Sequence, residues 1–286
     1  MIKYFICIIA SVTIFSSCQH KVEYKTNNHF VNANNYFLDG ESEKAIAEYN
    51  IAAKEEPKNA KVFFGLGQVY ELSGNHDKAL ENLDKAIAID NHFVYAYYAR
   101  STAKTLAGDY EIAIEDLDKA IYLKPDFAHA YFQRGILLSD VGLYDKAIDD
   151  LSKAVKIDSS LHTIYYYRGV FKKAQKDYEG AIKDYSTMIA LKPGHFRSLY
   201  GRASIYEELK KYDLAIADLT TAIQVKPDFA NAYLSRGYCN YAMGKPDLAC
   251  SDFKKAKELG HHSADQYITK YCNKPPAIVI PDKSKN

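Results

Sequence analysis

Residues 128–161 read AHAYFQRGILLSDVGLYDKAIDDLSKAVKIDSSL, and two helical patterns lie inside them. Ala128 to Ser139 carries apolar residues at helical spacing. Gly142 then breaks that pattern, as glycine does at a helix C-terminus. Asp145 to Ile157 carries a second amphipathic pattern, closed by Asp158-Ser159.

The same plan recurs on both sides of this stretch. Alanine stands at 45, 79, 113, 147, 181, 215 and 249, each 34 residues after the last. Framed on those alanines, repeats start at Thr26, Ala60, Val94, Ala128, His162, Phe196 and Ala230. They divide the chain into 26–59, 60–93, 94–127, 128–161, 162–195, 196–229 and 230–263, with no insertion. Proline ends the second helix at Pro57, Pro125, Pro193 and Pro227, because it cannot continue a helix. A fixed period of this size marks a repeat architecture. No such unit buries its apolar faces alone, so neighbours must complete the core.

These positions resemble the tetratricopeptide repeat (TPR). That family has a large residue at its fourth position, a small one at the eighth and alanine at the twentieth. A large apolar residue follows at the twenty-fourth, alanine at the twenty-seventh and proline at the thirty-second. The second repeat supplies Phe63, Gly67, Ala79, Leu83 and Ala86, and the fourth supplies Tyr131, Gly135, Ala147, Leu151 and Ala154. Asn91, Ser159 and His261 depart from the proline, Met188 from the later alanine and Ser101 from the small residue. The resemblance implies an all-α fold, a right-handed superhelical solenoid of seven antiparallel helix pairs. Residues 264–272 would cap it, with Tyr267 and Tyr271 facing inward. The tail 273–286, with Pro275, Pro276 and Pro281, reads as disordered.

The first seventeen residues read as an export signal. Lys3 precedes an apolar run from Tyr4 to Phe15, and Ser16 and Ser17 lead into Cys18. The run is too short to span a bilayer core of about 30 Å comfortably. Phe15-Ser16-Ser17-Cys18 resembles the bacterial lipoprotein signal, which is cut before a cysteine whose thiol receives a diacylglycerol. The resemblance implies a lipid anchor on Cys18, a linker over 18–25 and a place in the cell envelope. Gln19 supplies no acidic retention signal, which favours the outer membrane.

Two further columns run through the repeats. The seventh position is Arg100, Arg134, Arg168, Arg202 and Arg236, and the twenty-third is Asp116, Asp150, Asp184, Asp218 and Asp252. The second repeat has neither, with Leu66 and Asn82 instead. Joint presence in five repeats points to a structural salt-bridge ladder rather than an anion site, since buried arginines are normally paired. The partner could lie in the same repeat or the next, where Lys270 could serve Asp252.

In the TPR family the first helices line a concave groove, and the fifth position points into it. Here that position is Phe30, Phe64, Tyr98, Phe132, Tyr166, Tyr200 and Leu234. The ninth varies as Asn34, Gln68, Thr102, Ile136, Val170, Ser204 and Tyr238. Phe30, Phe64, Tyr98, Phe132, Tyr166, Tyr200 and Tyr238 are the candidate partner-binding residues, since aromatic rings are enriched at interfaces. Core packing at helical spacing is the alternative for the same stripe. The late groove adds Arg197, Glu207 and Glu208. Fourth-position aromatics Phe63, Tyr97, Tyr131, Tyr165 and Tyr233 should pack between helices.

Composition narrows the function. The chain of 286 residues balances 37 Lys plus Arg against 36 Asp plus Glu. A nucleic-acid binder needs excess cations to release counterions, so none is expected as partner. No catalytic, phosphate-loop or metal-ligand motif stands out, and adjacent His261 and His262 lack ligand spacing, so no metal or cofactor is expected. Cys239 and Cys250 fall where the fourth repeat has Leu137 and Ile148, which reads as two core thiols. An exported chain could instead join Cys250 to Cys272 and staple the cap. The leading expectation is a membrane-anchored scaffold, not an enzyme, that holds a protein or peptide partner in the groove. An envelope glycan-binding protein, with tyrosines on sugar rings, is the runner-up.

Overall fold

The structure, a computed structural model, describes residues 28–272. The expected signal 1–17, Cys18, the linker 18–25 and the tail 273–286 lie outside the described residues. Among the described residues there are fifteen helices and no strand.

The chain divides into two compact units, with the boundary between Ser160 and Leu161. The boundary adjoins Ser159, which stands where most other repeats place proline. The first unit holds four helix pairs. They are α1 (His29–Leu38) with α2 (Ser42–Glu55), α3 (Ala60–Leu72) with α4 (His76–Ile89), α5 (Val94–Ala107) with α6 (Tyr110–Leu123), and α7 (Ala128–Asp140) with α8 (Tyr144–Ile157). The second unit holds three pairs and a last helix. They are α9 (Thr163–Ala174) with α10 (Tyr178–Leu191), α11 (Phe196–Glu208) with α12 (Tyr212–Val225), α13 (Ala230–Ala242) with α14 (Pro246–Glu258), and α15 (Ala264–Tyr271). Within each unit the second helix of one pair packs on the first helix of the next.

One left-handed residue turns the chain inside each pair. Gly40, Gly74, Gly108, Gly142 and Gly244 hold positive φ there, where a side chain would be strained. Lys176 and Lys210 hold φ of 64° and 57° at the same repeat position. Starts are capped by side chains that accept an orphan amide: Asn28 from Val31, Asn59 from Lys61, Asn75 from Lys78 and Asp177 from Gly180.

The core follows from the small residues. Ala45, Ala79, Ala113, Ala147, Ala181, Ala215 and Ala249 are all 0% exposed. They face the eighth position across each pair. A Cβ on Gly67 would lie 2.7 Å from Leu83 Cγ, and one on Gly237 would lie 2.6 Å from Phe253 Cε1. Ser101 replaces that glycine by turning its hydroxyl onto its own helix, donating to the Tyr98 carbonyl at 2.7 Å. Leu83, Leu117, Leu151, Tyr185, Leu219 and Phe253 fill the twenty-fourth position and are buried. Fully burying such a side chain contributes roughly 1.5–3 kcal/mol.

Candidate functional site

The arginine and aspartate columns meet inside each repeat. Arg100, Arg134, Arg168, Arg202 and Arg236 donate through Nε and Nη2 to both oxygens of Asp116, Asp150, Asp184, Asp218 and Asp252, at 2.6–2.9 Å. Two parallel charge-assisted bonds fix the guanidinium plane. The remaining Nη1 reaches the twenty-fifth position of the preceding repeat: Asp84 for Arg100, Asp118 for Arg134, Ser186 for Arg202 and Thr220 for Arg236. Asp252 takes Arg236 and Asn240, while Lys270 lies over the Tyr271 ring. Tyr97, Tyr131, Tyr165 and Tyr233, at the fourth position, lie under the guanidinium groups of the same repeats at 5.6–5.7 Å. Each guanidinium in the ladder is thus engaged by a carboxylate of its own repeat.

The fifth-position column does not form a continuous exposed stripe. Phe64, Tyr98 and Phe132 are buried, so the partner-facing role expected for them is corrected. For Phe64 and Tyr98 the reason lies at the thirty-fourth position. Phe64 packs on Phe93 at 4.9 Å, Tyr98 on Phe127 at 5.0 Å and Tyr200 on Phe229 at 5.1 Å between ring centroids. His195 takes the same place against Tyr166 at 5.2 Å. The inter-repeat turn therefore folds an aromatic ring over the column. The signal was available, because 93, 127, 195 and 229 also fall on the beat of 34. Phe30, Tyr166, Tyr200 and Tyr238 are half-buried.

The ninth position is closed in the first three repeats. Asn34 is buried and accepts from the Tyr49 hydroxyl at 2.6 Å. Thr102 is buried and bonded to Gln133. Gln68 Oε1 is buried with no hydrogen-bond partner, as is Glu71 Oε2 one turn along.

In the second unit this face is more open and linked by polar contacts. Lys173 Nζ donates to Ser204 Oγ at 2.7 Å and pairs with Glu208 at 3.2 Å. The Tyr178 hydroxyl donates to the other Glu208 oxygen at 2.6 Å, which holds that carboxyl below its usual range. Beside it, burial pushes the Glu207 carboxyl up, and the Glu208 charge adds to the rise. Tyr238 is half-buried, Tyr241 is exposed, and the Tyr241 ring meets Tyr271 of α15 at 4.3 Å. A surface of carboxylates, hydroxyls and flat rings can accept hydrogen bonds and stack on a segment laid across it.

Other chemistry is sparse. No group of three or more His, Cys, Asp or Glu among the described residues could hold a metal ion. No helix among them is long and apolar enough to cross a membrane. Cys250 and Cys272 form a disulfide with Cα atoms 5.6 Å apart, so the core-thiol reading of Cys250 gives way to the staple. Cys239 remains free and buried, and burial pushes its thiol up to about 12.

Comparison with known proteins fits this geometry. A search of curated proteins finds no match. Among solved structures, MamA is 28% identical, with a TM-score of 0.55 over 58% of this chain and 96% of that one. The C-terminal part of a TPR repeat-containing protein from Cytophaga hutchinsonii is 16% identical, with a TM-score of 0.71 over 84% of this chain and 99% of that one. YrrB, described as a TPR protein with an unusual peptide-binding site, is 20% identical, with a TM-score of 0.59 over 64% and 95%. Residues 203–244 match the family described as TPR repeat. Residues 16–200, well over half the chain, match the family described as the ETO1 C-terminal domain. The chain therefore belongs to the ETO1 C-terminal domain family and is a tetratricopeptide repeat protein.

Proposed function

We propose that the chain is a lipid-anchored adaptor of the bacterial cell envelope, tethered at the outer membrane through Cys18. It holds a protein segment against the first helices of repeats five to seven. It acts as a scaffold rather than as an enzyme. The tether rests on the sequence Phe15-Ser16-Ser17-Cys18 at the end of an apolar run. The binding reading is carried by one observation. Ser204, Glu207, Tyr238 and Tyr241 stay partly open on α11 and α13, while Asn34, Gln68 and Thr102 are closed on α1, α3 and α5. Rings with two side-chain torsions offer large contact area at low entropy cost. Carboxylates nearby accept from backbone amides or cationic side chains.

A photo-crosslinking amino acid at Tyr238 tests this, with Leu214 on α12 as an exposed control site. The adaptor reading expects one defined peptide segment captured from Tyr238 and not from Leu214. Capture of saccharide, or equal capture from both sites, would reject it. The tether is tested separately by labelling with a clickable fatty acid, which should be lost in Cys18→Ser.

A further inference from the structure

The geometry points to a redox latch: the Cys250–Cys272 disulfide holds α15 in place, and a thiol reductant releases that helix while the helix pairs stay folded. This rests on the end of the second unit and is independent of the adaptor reading.

Helix α15 has eight residues and one fully buried side chain, Ala264. A helix that short is marginal alone, so its order must come from docking. Its near end leaves α14 through the short turn 259–263, while Cys272 sits at its far end. The bridge to Cys250, in the first half of α14, spans 22 residues and fixes that far end. Between the two ends, Tyr267 and Tyr271 lie against Phe253 at 5.4 and 5.9 Å. The ion pair of Lys257 with Asp265 joins exposed side chains and adds little. Closing a loop of this length favours the docked state roughly hundredfold over an unlinked chain.

The bridge is reachable and chemically isolated. Cys250 and Cys272 are each half-buried rather than enclosed. A dithiol such as dithiothreitol attacks one sulfur as its thiolate, and the other sulfur leaves and takes a proton. The second thiol of the reductant then closes on the mixed disulfide. Two protein thiols and one cyclic disulfide result, with two electrons transferred. Cys239 takes no part, because its enclosed thiol stays protonated and is not a nucleophile. Undocking removes Tyr271 from Tyr241 and uncovers Phe253, which is 0% exposed when α15 is seated. The helix pairs keep their internal contacts, since the main packing of α15 is on α14 of the last pair.

Hydrogen exchange on the full chain, oxidised and after dithiothreitol, tests the latch. Amides of 264–272 should exchange roughly hundredfold faster on reduction, with 230–258 unchanged. The Cys250→Ser/Cys272→Ser variant, measured without reductant, should match the reduced protein. Unchanged exchange in 264–272 would mean that packing alone seats the helix, and the proposal would fall. Loss of protection in 230–258 as well would overturn it from the other side, showing a staple for the whole terminal repeat.

Discussion

The ring of Tyr185 occupies the space that a side chain on Gly201 would need. A Cβ built on Gly201 would lie 2.7 Å from Tyr185 Cζ. Tyr185 is at the twenty-fourth position of the fifth repeat, and Gly201 is at the sixth position of the sixth. Tyr49 and Gly65 stand in the same relation in the first and second repeats. Where the twenty-fourth residue is leucine, as at Leu83 and Leu219, the next sixth position is Ala99 and Ser235. Gly201→Ala is therefore expected to cost about 1–3 kcal/mol through overpacking. Tyr185→Leu in the same chain should recover much of that loss. Urea unfolding of both single variants and the double variant gives the coupling energy, and strictly additive effects would refute the contact.

The ladder predicts unequal losses at equivalent arginines. Asp150 is buried and is held by Arg134 at 2.7 Å. Asp184 is equally buried but receives Lys172 at 2.8 Å as well as Arg168. Arg134→Ala leaves a buried carboxylate without its cation and should cost about 3 kcal/mol. Arg168→Ala should cost less, because Lys172 remains on the same carboxylate. Thermal melts of the two variants decide, and equal shifts in Tm would show that Lys172 does not substitute.

The beat of alanines was legible in the sequence because each helix contact acts on one residue at one position. Ala113, Ala147 and Ala181 are fully enclosed, and a bulkier side chain there would overpack the helix contact. The arginine–aspartate pairing was legible through shared absence, with Leu66 and Asn82 marking a repeat that lacks both. The groove was harder. A stripe that includes Phe64 and Tyr98 has the same spacing whether it faces a partner or lies under Phe93 and Phe127. Only the path of the inter-repeat turn decides, and that path is set by tertiary contacts. The Cys250–Cys272 bond was open for the same reason, since spacing along the chain does not fix the distance between α14 and the end of α15.

Two lysines sit where five repeats use glycine. Lys176 and Lys210 are exposed and hold positive φ between the helices of their pairs. The left-handed conformation costs a residue with a Cβ roughly 1–2 kcal/mol, part of which is offset by the greater unfolded-state entropy of glycine. Lys176→Gly and Lys210→Gly should each stabilise the protein by about 0.5–1 kcal/mol. Chemical denaturation should show the midpoint rising in each single variant and again in the double. A fall in either midpoint would mean that the lysine makes a contact worth more than its backbone strain.

Acidification should weaken the start of α11. His195 caps that helix, accepting from the Ser198 amide at Nδ1 over 3.3 Å. Burial holds its pKa below the ordinary histidine value of 6.5, and the Lys192 and Arg197 charges add to the depression. A histidine with a lowered folded-state pKa binds its proton more readily in the unfolded chain. Its contribution is complete above pH 6.5, declines as pH falls through that value, and is fully lost below the folded-state pKa. Protonation also turns Nδ1 from acceptor to donor and removes the cap. His195→Asn keeps a capping oxygen that does not titrate in this range. Between pH 7.5 and 5.5 the stability of His195→Asn should therefore fall less than that of the parent. Parallel pH–stability curves for the two proteins would show that the cap does not depend on the neutral imidazole.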